Sequence, residues 1–148
     1  MSTYTQIIYQ IVFGTYKHER TMQGDRKEEL YKYITGILTN KKCHLYRING
    51  MEEHLHIVTH LHPSVALANL VKDIKLASSK WIKENKIFSQ FNDWQDGYGA
   101  FTYTIKEKDR LIEYVKNQQA HHKIKTFREE YIELLKENGV EYDEKYIL

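Results

Sequence analysis

Four of the eight histidines in this 148-residue sequence stand at positions 54, 56, 60 and 62, inside "MEEHLHIVTHLHPS". A spacing of two is that of a β-strand, whose side chains alternate between faces. His54 and His56 therefore share one face, while Leu55, Ile57 and Leu61 turn to the other as core. Two imidazoles about 7 Å apart along a strand can converge on one cation. The simpler reading of any His-x-His pair is two exposed histidines on the open side of a sheet. His60 and His62 lie further along and are expected to be exposed or to brush a ligand, outside a metal shell.

A second group lies in "EYVKNQQAHH". Tyr114 and Gln118 are four residues apart, which places them one turn apart on one helix face. With Leu111 and Val115, Tyr114 continues an apolar stripe and could be core alone. Gln118 interrupts that stripe with an amide, which a pure core avoids unless the amide is hydrogen-bonded. Its oxygen could instead complete a cation's coordination sphere, with the phenol beside the same ion. His121 and His122 follow Gln118 by three and four positions and so approach the same face.

The surrounding pattern supplies elements to position these groups. "TQIIYQIVFGTY" alternates as a strand, and "GDRKEELYKYITGILTN" reads as a helix with Asp25 as its cap, Glu28 at N3 and a stripe of Leu30, Ile34, Ile37 and Leu38. Asn49-Gly50 between two alternating runs predicts a hairpin, and Pro63 ends its second strand. Ser64 is expected to cap a long helix with Leu67, Leu70, Val71, Ile74 and Trp81 inward. Lys72, Lys75, Lys83 and Lys86 lie off that stripe, as a solvated or phosphate-contacting face. A last strand covers roughly 98–103. Thr104 and Glu107 form a capping box for one continuous helix, "IKEKDRLIEYVKNQQ", and Thr126 and Glu129 repeat the device. The final helix turns Phe127, Tyr131, Leu134 and Leu135 inward and ends at Asn138-Gly139. The order βαββαβ plus two helices predicts an α+β, ferredoxin-like (split βαβ, RRM-like) fold. Its antiparallel sheet carries helices on one face, with the C-terminal helices in addition. With no repeat or linker, residues 1–148 are expected to form a single domain.

Composition narrows the setting. No apolar run approaches the ~18 residues of a membrane span, so no membrane partner is expected. The N-terminus lacks signal-peptide features, and the lone Cys43 fits a reducing, cytoplasmic location. Net charge is +2. From His121 onward five Lys/Arg face seven Asp/Glu, a charge of −2, which leaves +4 on the preceding body. Such a body tolerates phosphate, and twelve Tyr, five Phe and two Trp could stack on unpaired bases or simply pack.

In "HLH" (His54, Leu55, His56), in Tyr114-x-x-x-Gln118 on a helix after the last strand, and in "GYGAFTYT" before it, the chain resembles the single-tyrosine HUH transposases of insertion sequences and repeated palindromes. The resemblance spans roughly residues 4–122. It implies that His54, His56 and Gln118 hold a divalent metal, Mg²⁺ or Mn²⁺. It implies that Tyr114 cuts single-stranded DNA through a 5′-phosphotyrosine, later resolved by a 3′-hydroxyl without any nucleotide cofactor. It also implies recognition of DNA hairpins and a homodimer in which one subunit's tyrosine helix can serve the other's histidines. The chain departs from the family in having no glycine in "TIKEKD" ahead of Tyr114, which leaves the reach of that helix open. The alternatives are a non-catalytic, palindrome- or single-strand-binding module of the same fold, and a structural zinc protein, which one cysteine disfavours. A relaxase or rolling-circle initiator would usually carry further domains.

Overall fold

The computed structural model describes residues 2–147. Four strands, β1 (Ile8–Gly14), β2 (Leu45–Gly50), β3 (His54–His60) and β4 (Gly99–Tyr103), form one antiparallel sheet in the order β2-β3-β1-β4. The helices are α1 (Lys27–Asn40), α2 (Leu67–Glu84), α3 (Lys108–Lys116), the single turn α4 (Gln118–His121) and α5 (Phe127–Glu137). This is the α+β arrangement that the element order predicts. Among the described residues no helix is long and apolar enough to cross a membrane.

Strand alternation divides the sheet cleanly. Ile11 and Phe13 of β1 and Leu55 and Ile57 of β3 join Leu30, Ile34 and Leu38 of α1 and Leu70, Val71 and Ile74 of α2 in the main core. Full burial of each such aliphatic side chain contributes about 1.5–3 kcal/mol. Trp94 closes this core edge-on against Phe13, its indole nitrogen donating to Ser78 Oγ at 2.9 Å.

The other face is not open, contrary to expectation. Helices α3, α4 and α5 lie over it, and His54 and His56 are fully buried. Two apolar clusters seat these helices. Ile8 and Val58 meet Leu111 and Val115 of α3, whereas Val12 and Phe101 meet Phe127, Tyr131, Leu134 and Leu135 of α5. The stripe that marked Tyr114 as a core candidate is thus real, with Tyr114 at its margin.

Local signals succeeded unevenly. The Thr104–Glu107 capping box is present, and Thr126 Oγ1 accepts from the Glu129 amide at 3.2 Å. Asn138 caps α5 and Gly139 follows with φ +65°. Asp25 and Ser64, however, cap nothing. Helix α1 starts at Lys27 behind Arg26, which instead clasps Glu29 at 2.6 Å. Ser64 bonds His62 Nδ1 at 2.6 Å, and α2 begins at Leu67 behind Ala66. For Ser64 the nearby His62 ring takes the place of the helix amide. The single helix expected through Gln118 is broken at Asn117. Asn49 caps the broken end: its Nδ2 donates to the carbonyls of Val115 and Lys116, at 3.1 Å each.

Candidate active site

β3 carries His54 and His56 side by side, with ring centroids 5.1 Å apart. Each ring is anchored through Nδ1. His54 Nδ1 pairs with Glu53 Oε1 at 2.6 Å, and His56 Nδ1 pairs with Gln10 Oε1 at 2.7 Å. An acceptor on Nδ1 fixes the tautomer and presents Nε2 inward, the arrangement used by metal-binding histidines. Gln10 is itself held, donating from Nε2 to the Tyr103 hydroxyl at 2.8 Å.

The break at Asn117 brings Gln118 over the strand. Gln118 is fully buried, with Oε1 3.0 Å from His54 Nε2. The strand histidines and the amide, more than sixty residues apart, therefore meet. Tyr114 is half-buried beside them, its ring 6.0 Å from that of His56. His121 lies along the tyrosine ring at 4.7 Å. His60 and His62 stay outside: His60 Nδ1 accepts from the Ile7 amide, and His62 pairs with Ser64.

Two residues not expected at the centre are there. Glu130 reaches in from α5 and is 3% exposed. Its Oε1 lies 2.9 Å from His56 Nε2, 3.1 Å from His122 Nε2 and 3.5 Å from His54 Nε2. Its Oε2 accepts from the Tyr114 hydroxyl and, at 2.9 Å, from Gln118 Nε2. His122, noted in sequence only as near this face, puts Nε2 3.1 Å from Gln118 Oε1. A signal for Glu130 existed. It stands three residues after Phe127 and four before Leu134, on the inward stripe of its helix, where an unpaired carboxylate would be costly.

The electrostatics follow from this crowding. Burial alone would raise Glu130, but the charge of His56 and hydrogen bonds from the imidazoles outweigh it and hold the carboxyl well below its usual range. Burial opposes charge on His54, yet hydrogen bonds to Glu130 and Glu53 prevail and its pKa is raised. Burial and then the adjacent Glu130 push the Tyr114 phenol well above its ordinary value. Among the described residues, donor atoms of His54, His122 and Glu130 lie within 4.8 Å of one another. Inward-facing nitrogens, an amide oxygen and a carboxylate in one buried cluster fit a divalent cation.

Clefts flank the cluster on two sides. One of about 420 Å³ borders Tyr114, with Gln10, Tyr103 and Arg110. The other, also about 420 Å³, borders His122 and Glu53 and is lined by Arg20, Lys123, Lys125 and Arg128. His18 lines this second cleft with an Nε2 that has no partner. Lys17 and His18 both have φ of 55°, a left-handed conformation costly for such residues, which supporting structure must enforce.

The comparisons bear on the fold and the family. A crystal structure of a "putative transposase" from Deinococcus radiodurans R1 superposes with a TM-score of 0.63 at 17% identity, covering 80% of this chain and 95% of that one. A REP-associated tyrosine transposase bound to a REP hairpin superposes with a TM-score of 0.62 at 13% identity, covering 82% and 74%. At these identities the likeness concerns the fold. No curated protein matches the chain in sequence at a significant level. Residues 3–118, by contrast, match the family described as "Transposase IS200 like", and over that span the chain belongs to the IS200-like transposase family.

Proposed function

We propose that this transposase cleaves and rejoins single-stranded DNA through a 5′-phosphotyrosine on Tyr114, at hairpins bordering a mobile element or repeat. The observation that carries this reading is the meeting of Tyr114 and Gln118 with His54 and His56 around one buried centre.

Tyr114 Oη attacks a backbone phosphorus, the bond from phosphorus to the 3′ oxygen breaks, and a free 3′-hydroxyl leaves. A later 3′-hydroxyl attacks the phosphotyrosine and releases the phenol, so one phosphodiester replaces another. The Tyr114 hydroxyl donates a hydrogen bond to Glu130 Oε2, which orients the phenol, and in the balanced exchange the phenol hydrogen ends on the released 3′ oxygen. His54, His56 and Gln118 would hold Mg²⁺ or Mn²⁺, which supplies positive charge to polarise the scissile phosphate. Glu53 and Gln10 keep the two imidazoles aimed at that centre. Arg20, Lys123, Lys125 and Arg128 would steady the phosphates of an entering strand.

Tyr114 lies beside its own chain's histidines, which favours cutting within one subunit of the homodimer that the family resemblance implies. A binding-only module is the rival reading, favoured by the attachment of the Tyr114 hydroxyl to Glu130. The test offers labelled single-stranded DNA carrying palindromes from the flanks of the gene, with Mn²⁺ or Mg²⁺. A denaturant-resistant adduct that disappears in Tyr114→Phe is expected. Binding without an adduct would establish the module, and an adduct persisting in Tyr114→Phe would remove Tyr114 from the reaction.

A further inference from the structure

The reading above takes its cation donors from residues up to 118, where the family match ends. The atom toward which three imidazoles converge lies beyond that point. Glu130 Oε1 is 2.9, 3.1 and 3.5 Å from the Nε2 atoms of His56, His122 and His54. His56 Nδ1 is taken up by Gln10 Oε1 at 2.7 Å, which turns Nε2 toward the carboxylate oxygen at 2.9 Å. A nitrogen and an oxygen lone pair at that separation repel unless a positive centre joins them.

The spacing suits a metal as that centre. His54 Nε2 to Gln118 Oε1 is 3.0 Å, Gln118 Oε1 to His122 Nε2 is 3.1 Å, and His122 Nε2 to Glu130 Oε1 is 3.1 Å. Adjacent ligands on an octahedral cation, with bonds of about 2.1 Å, stand about 3 Å apart. The donor chemistry argues the same way. Mg²⁺ and Mn²⁺ favour carboxylate oxygen, and two imidazoles with an amide supply no negative charge.

We infer that Glu130 and His122 are direct ligands of the divalent cation, which His54, Gln118, His122 and Glu130 hold together before any DNA arrives. His56, bonded to the same carboxylate oxygen, completes the ring of donors around the centre. The ion thereby fastens α5 to the sheet, and the C-terminal segment becomes part of the metal site. The inference rests on the proposed divalent-cation reading of this cluster and not on strand transfer.

The test needs no DNA. Mn²⁺ is titrated into the full chain by electron paramagnetic resonance, and the saturated Co²⁺ form is examined by visible absorption. Wild type is expected to bind one ion. Glu130→Gln and His122→Ala are each expected to weaken binding about tenfold or more and to change the Co²⁺ spectrum at saturation, with far-ultraviolet circular dichroism retained. A spectrum unchanged at saturation would make these residues supports for other ligands and overturn the inference, as would unchanged affinity. If Glu130→Gln unfolds, His122→Ala, at the end of a short helical turn, decides alone. Wild type that binds no ion without DNA, yet forms the Tyr114 adduct with Mn²⁺ and DNA, would sink the inference and leave the proposed function standing. Ion binding lost in both variants, with no adduct from wild type, would do the reverse.

Discussion

Strands β1 and β3 bury Ile11, Phe13, Leu55 and Ile57 beneath α1 and α2, whereas on their opposite faces they bury Gln10, Val12, His54 and His56 beneath α3, α4 and α5. The first face is held by area removed from water, which depends little on any single partner. The second is held by a closed network in which Gln10, Glu53, Gln118, His122 and Glu130 each satisfy another group. Apolar clusters pack beside this network, and the two clefts reach its edges at Tyr114 and at His122. A buried polar network is sound only while complete, so the two faces should fail differently when one member is removed.

The largest difference is expected at Glu130. Glu130→Ala leaves three imidazoles and the Tyr114 hydroxyl facing an empty space and is expected to cost about 3–5 kcal/mol. Ile57→Ala on the apolar face should cost a similar amount, about 2–5 kcal/mol. Urea denaturation measures both, and hydrogen exchange separates them. Glu130→Ala should release amides of α5 well before those of α1 and α2, while Ile57→Ala should lower protection throughout the sheet. Equal release of all helices in both variants would mean the faces are not separate units.

A smaller effect is expected where α5 touches the sheet. A Cβ on Gly99 would stand 2.6 Å from the Tyr131 hydroxyl, so β4 needs a residue without a side chain there for α5 to seat. Gly99→Ala should cost about 1–3 kcal/mol and loosen α5 alone. An unaffected α5 in hydrogen exchange would show that Tyr131 moves aside freely.

The apolar face could be read from the sequence because its signals are local. Alternation in β1 and β3 and the stripes of α1 and α2 are each contained in one short window, and the β2–β3 hairpin forms as expected, although Asn49 and Gly50 end strand β2 and the turn itself falls at 51–53. The polar face could be read only where two residues on one element both carried chemistry, as with His54 and His56. Asp25 and Ser64 misled because a cap residue names only a candidate bond: helix α1 starts one residue further on, behind Arg26, and Ser64 bonds His62 instead. The helix of Tyr114 ends where Asn49, more than sixty residues away, caps its carbonyls, a tertiary contact with no local trace. Glu130 was legible in principle as a charge on an inward stripe. The neighbouring Glu129 and Glu133, both solvent-side, made it look like one of a run of surface carboxylates.

The pH dependence sharpens the contrast. The folded pKa of Glu130 is depressed, so its contribution is present above the unfolded value of about 4.5 and is lost as pH falls below it. His54 is raised and acts oppositely: its contribution is complete below about 6.5 and is lost as pH rises through the folded value. In acid the carboxylate dominates. Wild type should therefore lose up to about 1.4 kcal/mol per pH unit more than Glu130→Gln once pH falls below about 4.5. Parallel stability–pH curves for the two proteins, measured in urea, would place the acid sensitivity in other carboxylates.

The smallest effect probes how much of the docking of α5 depends on the network and how much on its own first turn. Thr126 Oγ1 accepts from the Glu129 amide and stands 3.0 Å from the Glu129 carboxylate, outside the buried network. Thr126→Ala removes one cap and touches no imidazole, so it should cost about 1 kcal/mol. Helix α5 starts only one residue later, at Phe127, whose ring stacks on His54 with centroids 4.0 Å apart and planes 3° from parallel. Fraying of that turn therefore reaches the histidine directly. If the network positions α5, exchange should rise at 127–130 while Tyr131 onward stays protected. If the cap positions it, the whole helix should exchange together, and the polar face would owe its order to a local hydrogen bond, as the apolar face owes its own to local patterning.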